Sequence, residues 1–216
     1  KKVEAHNFEI RKQRLQYDDV MNHQRALIYE QRRRVLLGED MGESVISHLR
    51  EFVAARVKEF ASPEVHRDEW NLEAVHGVLS EAIPLQVSVD ELRGFTHHED
   101  LVEFLQEQAI AAYQEREAVV GAEQMREIER QITLWVVSRC WVDHLAAMED
   151  LEEGIGLRGY SGVDPLVIYR KESYDYWQNL LARIQEEIIR LLFRFRIEQQ
   201  TRRPAAGVSM SAVPQG

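Results

Sequence analysis

Gly154-Ile155-Gly156-Leu157-Arg158-Gly159-Tyr160-Ser161-Gly162 places four glycines in nine residues, and Val163-Asp164-Pro165 follow directly. A glycine-dense run that ends in Asp-Pro reads as a turn opening onto a helix. Asp164 suits the N-cap, and Pro165 suits the first helical position, where a missing N–H costs nothing. Outward from this turn, apolar side chains recur at helical spacing on both sides. Upstream, Leu134, Val137, Trp141, Leu145 and Met148 fall at 3-4-4-3. Downstream, Trp177, Leu181, Ile184, Ile188, Leu191 and Phe195 fall at 4-3-4-3-4, so each set lies on one helix face. Residues 121–197 are therefore predicted to be two helices folded back on each other, each arm roughly 30 residues and ~45 Å long. The tip between them would be exposed, glycine-rich and aromatic. Such a device suits contact and mechanical work better than it suits a small molecule.

The rest of the composition agrees with long helices. Of 216 residues, 44% are hydrophobic, enough for a real core, and 30% are charged, as extended helical surface requires. The single cysteine, Cys140, precludes an internal disulfide and suits a reducing compartment; beside Trp141 on an apolar face it reads as a small buried hydrophobe. No apolar run approaches the ~18 residues of a membrane span, and the N-terminus lacks a signal peptide's apolar core. The chain opens inside a helical pattern with no initiator Met and is expected to be a fragment of something longer. Its net charge of −10 is uneven: residues 1–37 carry nine basic and five acidic side chains, residues 38–120 six and eighteen. An acidic middle between basic helices lacks the continuous basic face that nucleic acid needs, so no nucleic-acid partner is expected.

Residues 1–37 read as one helix, with Val3, Ile10, Tyr17, Gln24, Ile28, Gln31 and Val35 along one face and Gly38 placed to end it. In residues 38–120, glycines and prolines cut the chain into short pieces. Ile46, Leu49, Val53, Val57 and Phe60 mark one helix, and Leu72, Val75 and Leu79 a second. Thr96-His97-His98-Glu99 has the pattern of a capping box opening a third helix through Leu101, Leu105, Ala109 and Tyr113. Leu85, Val87 and Val89 alternate with polar residues and suggest a short extended piece. Residues 201–216 are small, polar and proline-containing, and are expected to be disordered.

Few motifs offer chemistry. Gly154 to Gly159 matches the dinucleotide fingerprint G-x-G-x-x-G, but that site needs a strand before it and a helix opening at its last glycine. Here a helix is predicted to precede it, ending in Glu149-Asp150-Leu151-Glu152-Glu153, whose carboxylates would repel a phosphate. Those four acids also oppose the negative end of their own helix, and Arg158, Arg170 and Lys171 are the nearby cations that could answer them. No phosphate-loop motif occurs. His97 and His98 are adjacent and diverge around a helix, no paired ligand spacing exists, and no metal or catalytic site is predicted.

Several longer motifs carry a family resemblance. Ala5 to Arg25 (AHNFEIRKQRLQYDDVMNHQR), Val119 to Glu123 (VVGAE), Asp143 to Met148 (DHLAAM), Gly154 to Tyr160 (GIGLRGY) and Asp164-Pro165 resemble, in order, the SecA family of bacterial protein-export ATPases. The resemblance covers roughly residues 1–197. It implies an all-α fold: a long scaffold helix at 1–37, a helical wing domain at 38–120, a two-helix finger at 121–175, a returning scaffold helix at 176–200 and a linker at 201–216. It implies that Leu157, Arg158, Gly159 and Tyr160 form the finger tip, with Tyr160 touching the translocating polypeptide. The implied partners are the SecY channel complex, an unfolded preprotein and the motor domains of the same protein. The implied location is cytoplasmic, peripheral on the membrane's inner face. ATP and Mg belong to the parent's motor domains; this chain has no nucleotide site or cofactor of its own and is expected to hydrolyse nothing. Three positions depart from the family pattern: Glu152 stands in place of Arg before the tip, Gly162 in place of Gln after the tip Tyr, and Ile168 in place of Glu in the second arm. A helical adaptor without a motor is the alternative. A nucleotide-binding enzyme built on Gly154 to Gly159 is a third reading, which saturable nucleotide binding to this chain would revive.

Overall fold

The computed structural model describes residues 2–38, 41–158 and 164–195. Among these are seven α-helices: α1 (Lys2–Leu37), α2 (Met41–Phe60), α3 (Leu72–Ala82), α4 (Val89–Leu92), α5 (His98–Val120), α6 (Ala122–Arg158) and α7 (Pro165–Arg194). A 3₁₀ turn occupies Arg67–Glu69, and no described residue is in a strand. The fold is all-α, as the periodicity predicts. The expected disordered segment 201–216 lies outside the described residues.

Two glycines punctuate the long helices. Gly38 ends α1 with φ +83°, its N–H donating to the Val35 carbonyl (3.3 Å). Gly121 (φ +90°) separates α5 from α6, donating to the Glu117 carbonyl (2.8 Å) while its own carbonyl accepts from Met125 (2.9 Å). Both backbones lie where a Cβ is disfavoured, so glycine is required at each bend.

The main core joins α2, α3, α5, α6 and α7, and Ile28 of α1 enters it. Leu49, Val53 and Val57 of α2, Leu72, Val75 and Leu79 of α3, and Leu101, Leu105, Ala109 and Tyr113 of α5 are buried, as their spacing predicts. Each fully buried Leu or Val contributes roughly 1.5–3 kcal/mol relative to exposure. Polar ties then fix α2 and α3 to α7: Arg56 to Glu186 (3.1 Å), Gln185 to Glu51 (2.6 Å) and Arg190 to Glu81 (3.7 Å). On α1, Gln24, Ile28 and Val35 are buried, while the side chains of Val3 and Ile10 lie outside the described residues.

The structure corrects four local expectations. Thr96 does not cap α5. The N-cap is His97, which makes no capping bond, and the Thr96 hydroxyl lies 3.0 Å from His97 Nδ1 instead. The true capping box is Ser88–Glu91 at α4. That box pulls Val89 into a helical turn, while Ser88 before it has extended backbone and Leu85 and Val87 belong to no helix or strand. The buried stripe of α6 keeps Val137, Trp141 and Met148 as predicted but also takes in Met125, Glu129, Thr133, Cys140, His144, Leu151 and Ile155, leaving Leu134 and Leu145 at its edge. On α7 the stripe runs through Tyr169, Ser173, Leu180, Ile184 and Ile188, and Phe195 is half-exposed.

Candidate functional site

The α6–α7 pair is the feature that the sequence singles out. Ile155 clusters with Tyr169, Arg183 donates to Asp143 (2.7 Å), and Arg139 approaches Glu187 (3.8 Å), so the two helices run antiparallel. Asp164 caps α7 as predicted: its Oδ1 accepts from the Leu166 N–H (2.9 Å), with Pro165 at the first position.

The first arm is longer than the glycines suggest. α6 continues to Arg158, so Gly154 and Gly156 are helical residues, and residues 159–163 lie outside the described ones. Burial of Leu151 and Ile155 outweighs the helix cost of two glycines, about 1 kcal/mol each. Glu149, Asp150, Glu152 and Glu153 therefore sit one to two turns inside the helix, where the dipole penalty is smaller than at its last turn. A Cβ added at Gly154 would meet nothing within 4 Å. Gly154→Ala should accordingly raise the unfolding free energy by up to ~1 kcal/mol, seen as a higher Tm. A helix running through Gly154–Arg158 also removes the dinucleotide reading, because helical amides hydrogen-bond within the helix and cannot cradle a phosphate.

The pair is seated on α1 at successive levels, from Arg32, which donates to the Ser138 hydroxyl (2.5 Å), to the tip end. Near the tip, Met148, Leu151, Ile155 and Tyr169 form a separate apolar cluster covered by Tyr17, Val20 and Met21 of α1. The Tyr17 and Tyr169 rings lie 4.4 Å apart. Burial, helped by the negative charge of Glu152, pushes the Tyr169 hydroxyl up to about 12. Further along, a buried polar clasp joins all three helices. Gln24 Nε2 donates to the Ser173 carbonyl (3.3 Å), so its Oε1 is left to accept, and His144 Nε2 lies 2.8 Å from it. His144 is therefore a donor at Nε2. Its ring is 5% exposed and lies between Trp141 (5.5 Å) and Trp177 (6.1 Å).

Burial lowers the His144 pKa below its ordinary 6.5. The native state thus favours the neutral ring, and the contribution is full above pH 6.5 and lost as pH falls below it toward the lowered native value. His144→Gln keeps a donor but cannot titrate. The stability difference between wild type and His144→Gln should change in that acid window and stay level above it, as thermal unfolding against pH will report.

The family described as the SecA wing and scaffold domain matches residues 1–196 of this chain. The chain belongs to the SecA family. It is 47% identical over 204 residues to protein translocase subunit SecA of Pelotomaculum thermopropionicum, covering 92% of this chain and 23% of that protein. It is 46% identical to the subunit of Carboxydothermus hydrogenoformans over 93% of this chain, and 43% identical to that of Heliobacterium modesticaldum over 91%. The chain spans about a quarter of the length of these relatives.

Of the tip residues suggested by the SecA resemblance, Leu157 and Arg158 form the last residues of α6, and Gly159 and Tyr160 lie outside the described residues. Of the departures from the SecA pattern, Ile168 packs against the Tyr169 cluster, Glu152 is exposed, and Gly162 lies outside the described residues. The clasp went unrecognised in the sequence as a site. Its signal was present: Gln24 falls on the inward face of α1, and His144 falls between Trp141 and Met148 on the apolar face of α6. No described helix is long and apolar enough to cross a membrane, and no described group of three or more His, Cys, Asp or Glu side chains could hold a metal ion.

Proposed function

We propose that this chain is the scaffold, wing and finger of a protein translocase, in which α6 and α7 act as a stiff lever. Residues 1–37 and 176–200 are the scaffold, 38–120 the wing and 121–175 the finger. Motor domains outside this chain hydrolyse ATP with Mg, and α1 carries their movement to the lever. The lever presents Leu157, Arg158, Gly159 and Tyr160 to an unfolded preprotein at the SecY channel, with the assembly peripheral on the cytoplasmic face of the membrane. The observation that carries this reading is the seating of the α6–α7 pair on α1 at more than one level, through the Tyr17–Tyr169 cluster, the Gln24–His144–Ser173 clasp and the Arg32–Ser138 hydrogen bond. A hairpin held at two separate points transmits a displacement to its tip; one held at a single point would pivot. Tyrosine suits a tip that meets many sequences, because its ring packs on varied side chains and its hydroxyl bonds backbone.

The test is Tyr160→Ala in the full-length protein. Losing an aromatic contact worth roughly 1.5–3 kcal/mol should lower transport tenfold or more, while helical content and ATP turnover persist. Undiminished transport in that variant would remove the tip assignment.

A further inference from the structure

At the end of the α6–α7 pair remote from the tip lies an open groove of about 730 Å³. Its floor is Ile132 and Trp135 of α6 with Leu191 of α7 and Phe195 just beyond it. Ile132 and Leu191 lean on the core, but Trp135 is 52% and Phe195 49% exposed. Two large aromatic side chains left half in water are a costly surface unless something covers them. The rim is cationic on three sides. The Arg139 guanidinium stacks 5.3 Å from the Trp135 ring centroid, Arg194 flanks the groove, and Arg116 donates to the Phe195 carbonyl and closes its end. The acids near these arginines hold them loosely: Glu187 is 3.8 Å from Arg139 and Glu81 is 3.9 Å from Arg194. On a chain of net charge −10, this corner is an apolar trough edged with positive charge.

We infer that this groove receives an acidic amphipathic helix of a partner protein. A trough between two antiparallel helices accepts a third helix by ridge-and-groove packing, its apolar side chains entering at i, i+3, i+4 and i+7. Carboxylates on the flanks of that helix would replace Glu187 and Glu81 on Arg139 and Arg194. The concavity argues against a lipid surface, which is best met by protruding apolar side chains.

The test uses the 216-residue chain and a labelled model helix of about five turns, leucine on one face and glutamate on the other. Versions with glutamine or lysine replacing glutamate, and vesicles of anionic phosphatidylglycerol, serve as comparisons. The glutamate helix should bind about tenfold or more tightly than the glutamine version at low salt, with the margin shrinking as salt is added. Trp135→Ala should weaken binding about tenfold or more. Arg194→Glu should abolish the preference for glutamate over glutamine. Circular dichroism should show both variants folded, since both side chains are largely exposed. Equal binding of the glutamate and glutamine helices, unchanged binding by Trp135→Ala, or binding to vesicles alone would each overturn the assignment. None of these outcomes depends on transport activity, so they leave the lever reading to be judged separately.

Discussion

Tyr169→Ala is expected to destabilise the protein by ~3–5 kcal/mol, the cost of removing a large buried aromatic side chain. Tyr169 is 0% exposed and stands at the centre of the small cluster that holds the far end of the α6–α7 pair on α1. Truncation leaves Ile155, Leu151 and Met148 facing a void and removes the ring that packs on Tyr17. This cluster is separate from the main core, so few neighbours can move in to fill the space. Thermal unfolding should show Tm lower by on the order of 10 °C. Hydrogen exchange should rise first in residues 148–155 and 165–173, with residues 45–57 little changed. Tyr169→Phe keeps the ring and removes only the hydroxyl, and it should cost far less. If Tyr169→Ala unfolded at the wild-type temperature, the cluster would not be holding the lever.

Arg126→Ala is expected to be of comparable size, for an electrostatic reason. Glu129 is 0% exposed on α6, accepts a hydrogen bond from the Tyr113 hydroxyl (2.6 Å), and has Arg126 Nε 3.1 Å from its other oxygen. Arg126 also donates to the Tyr113 oxygen (2.6 Å), pairs with Glu117, and lies over the Tyr113 ring (5.9 Å). Burial and the hydrogen bond to Glu129 raise the Tyr113 pKa, which keeps its hydroxyl a donor. Removing the guanidinium takes away the Arg126 contact of a fully buried carboxylate, a loss of up to about 3–5 kcal/mol. The double variant Arg126→Leu with Glu129→Leu removes both charges together and should recover much of that stability. A double variant as unstable as Arg126→Ala would mean that packing, not the buried charge, sets the cost.

These two sites also mark the division between pattern and packing. The amino-acid sequence alone determined that the protein is all-α, with long helices at residues 1–37 and on either side of the glycine run. It determined the Asp164–Pro165 start of α7, the Gly38 and Gly121 breaks, and the inward faces of α3 and α5. Each depends on chemistry within a few residues: a cap, a missing N–H, a left-handed backbone, or apolar side chains repeating every three or four positions. Tertiary structure decided where local rules compete. It carried α6 through Gly154 and Gly156 to Arg158, because Leu151 and Ile155 have Tyr169 and α1 to bury against. It left Thr96 uncapping and turned Val89 into helix through the Ser88 box. It also widened and lengthened the buried stripes of α6 and α7, admitting Glu129, His144 and Ser173 to the interior. A buried polar side chain is legible only when its partner is known. The partners here, Gln24 and Ser173 for the clasp and Tyr113 for Glu129, lie on other helices and far away in the chain.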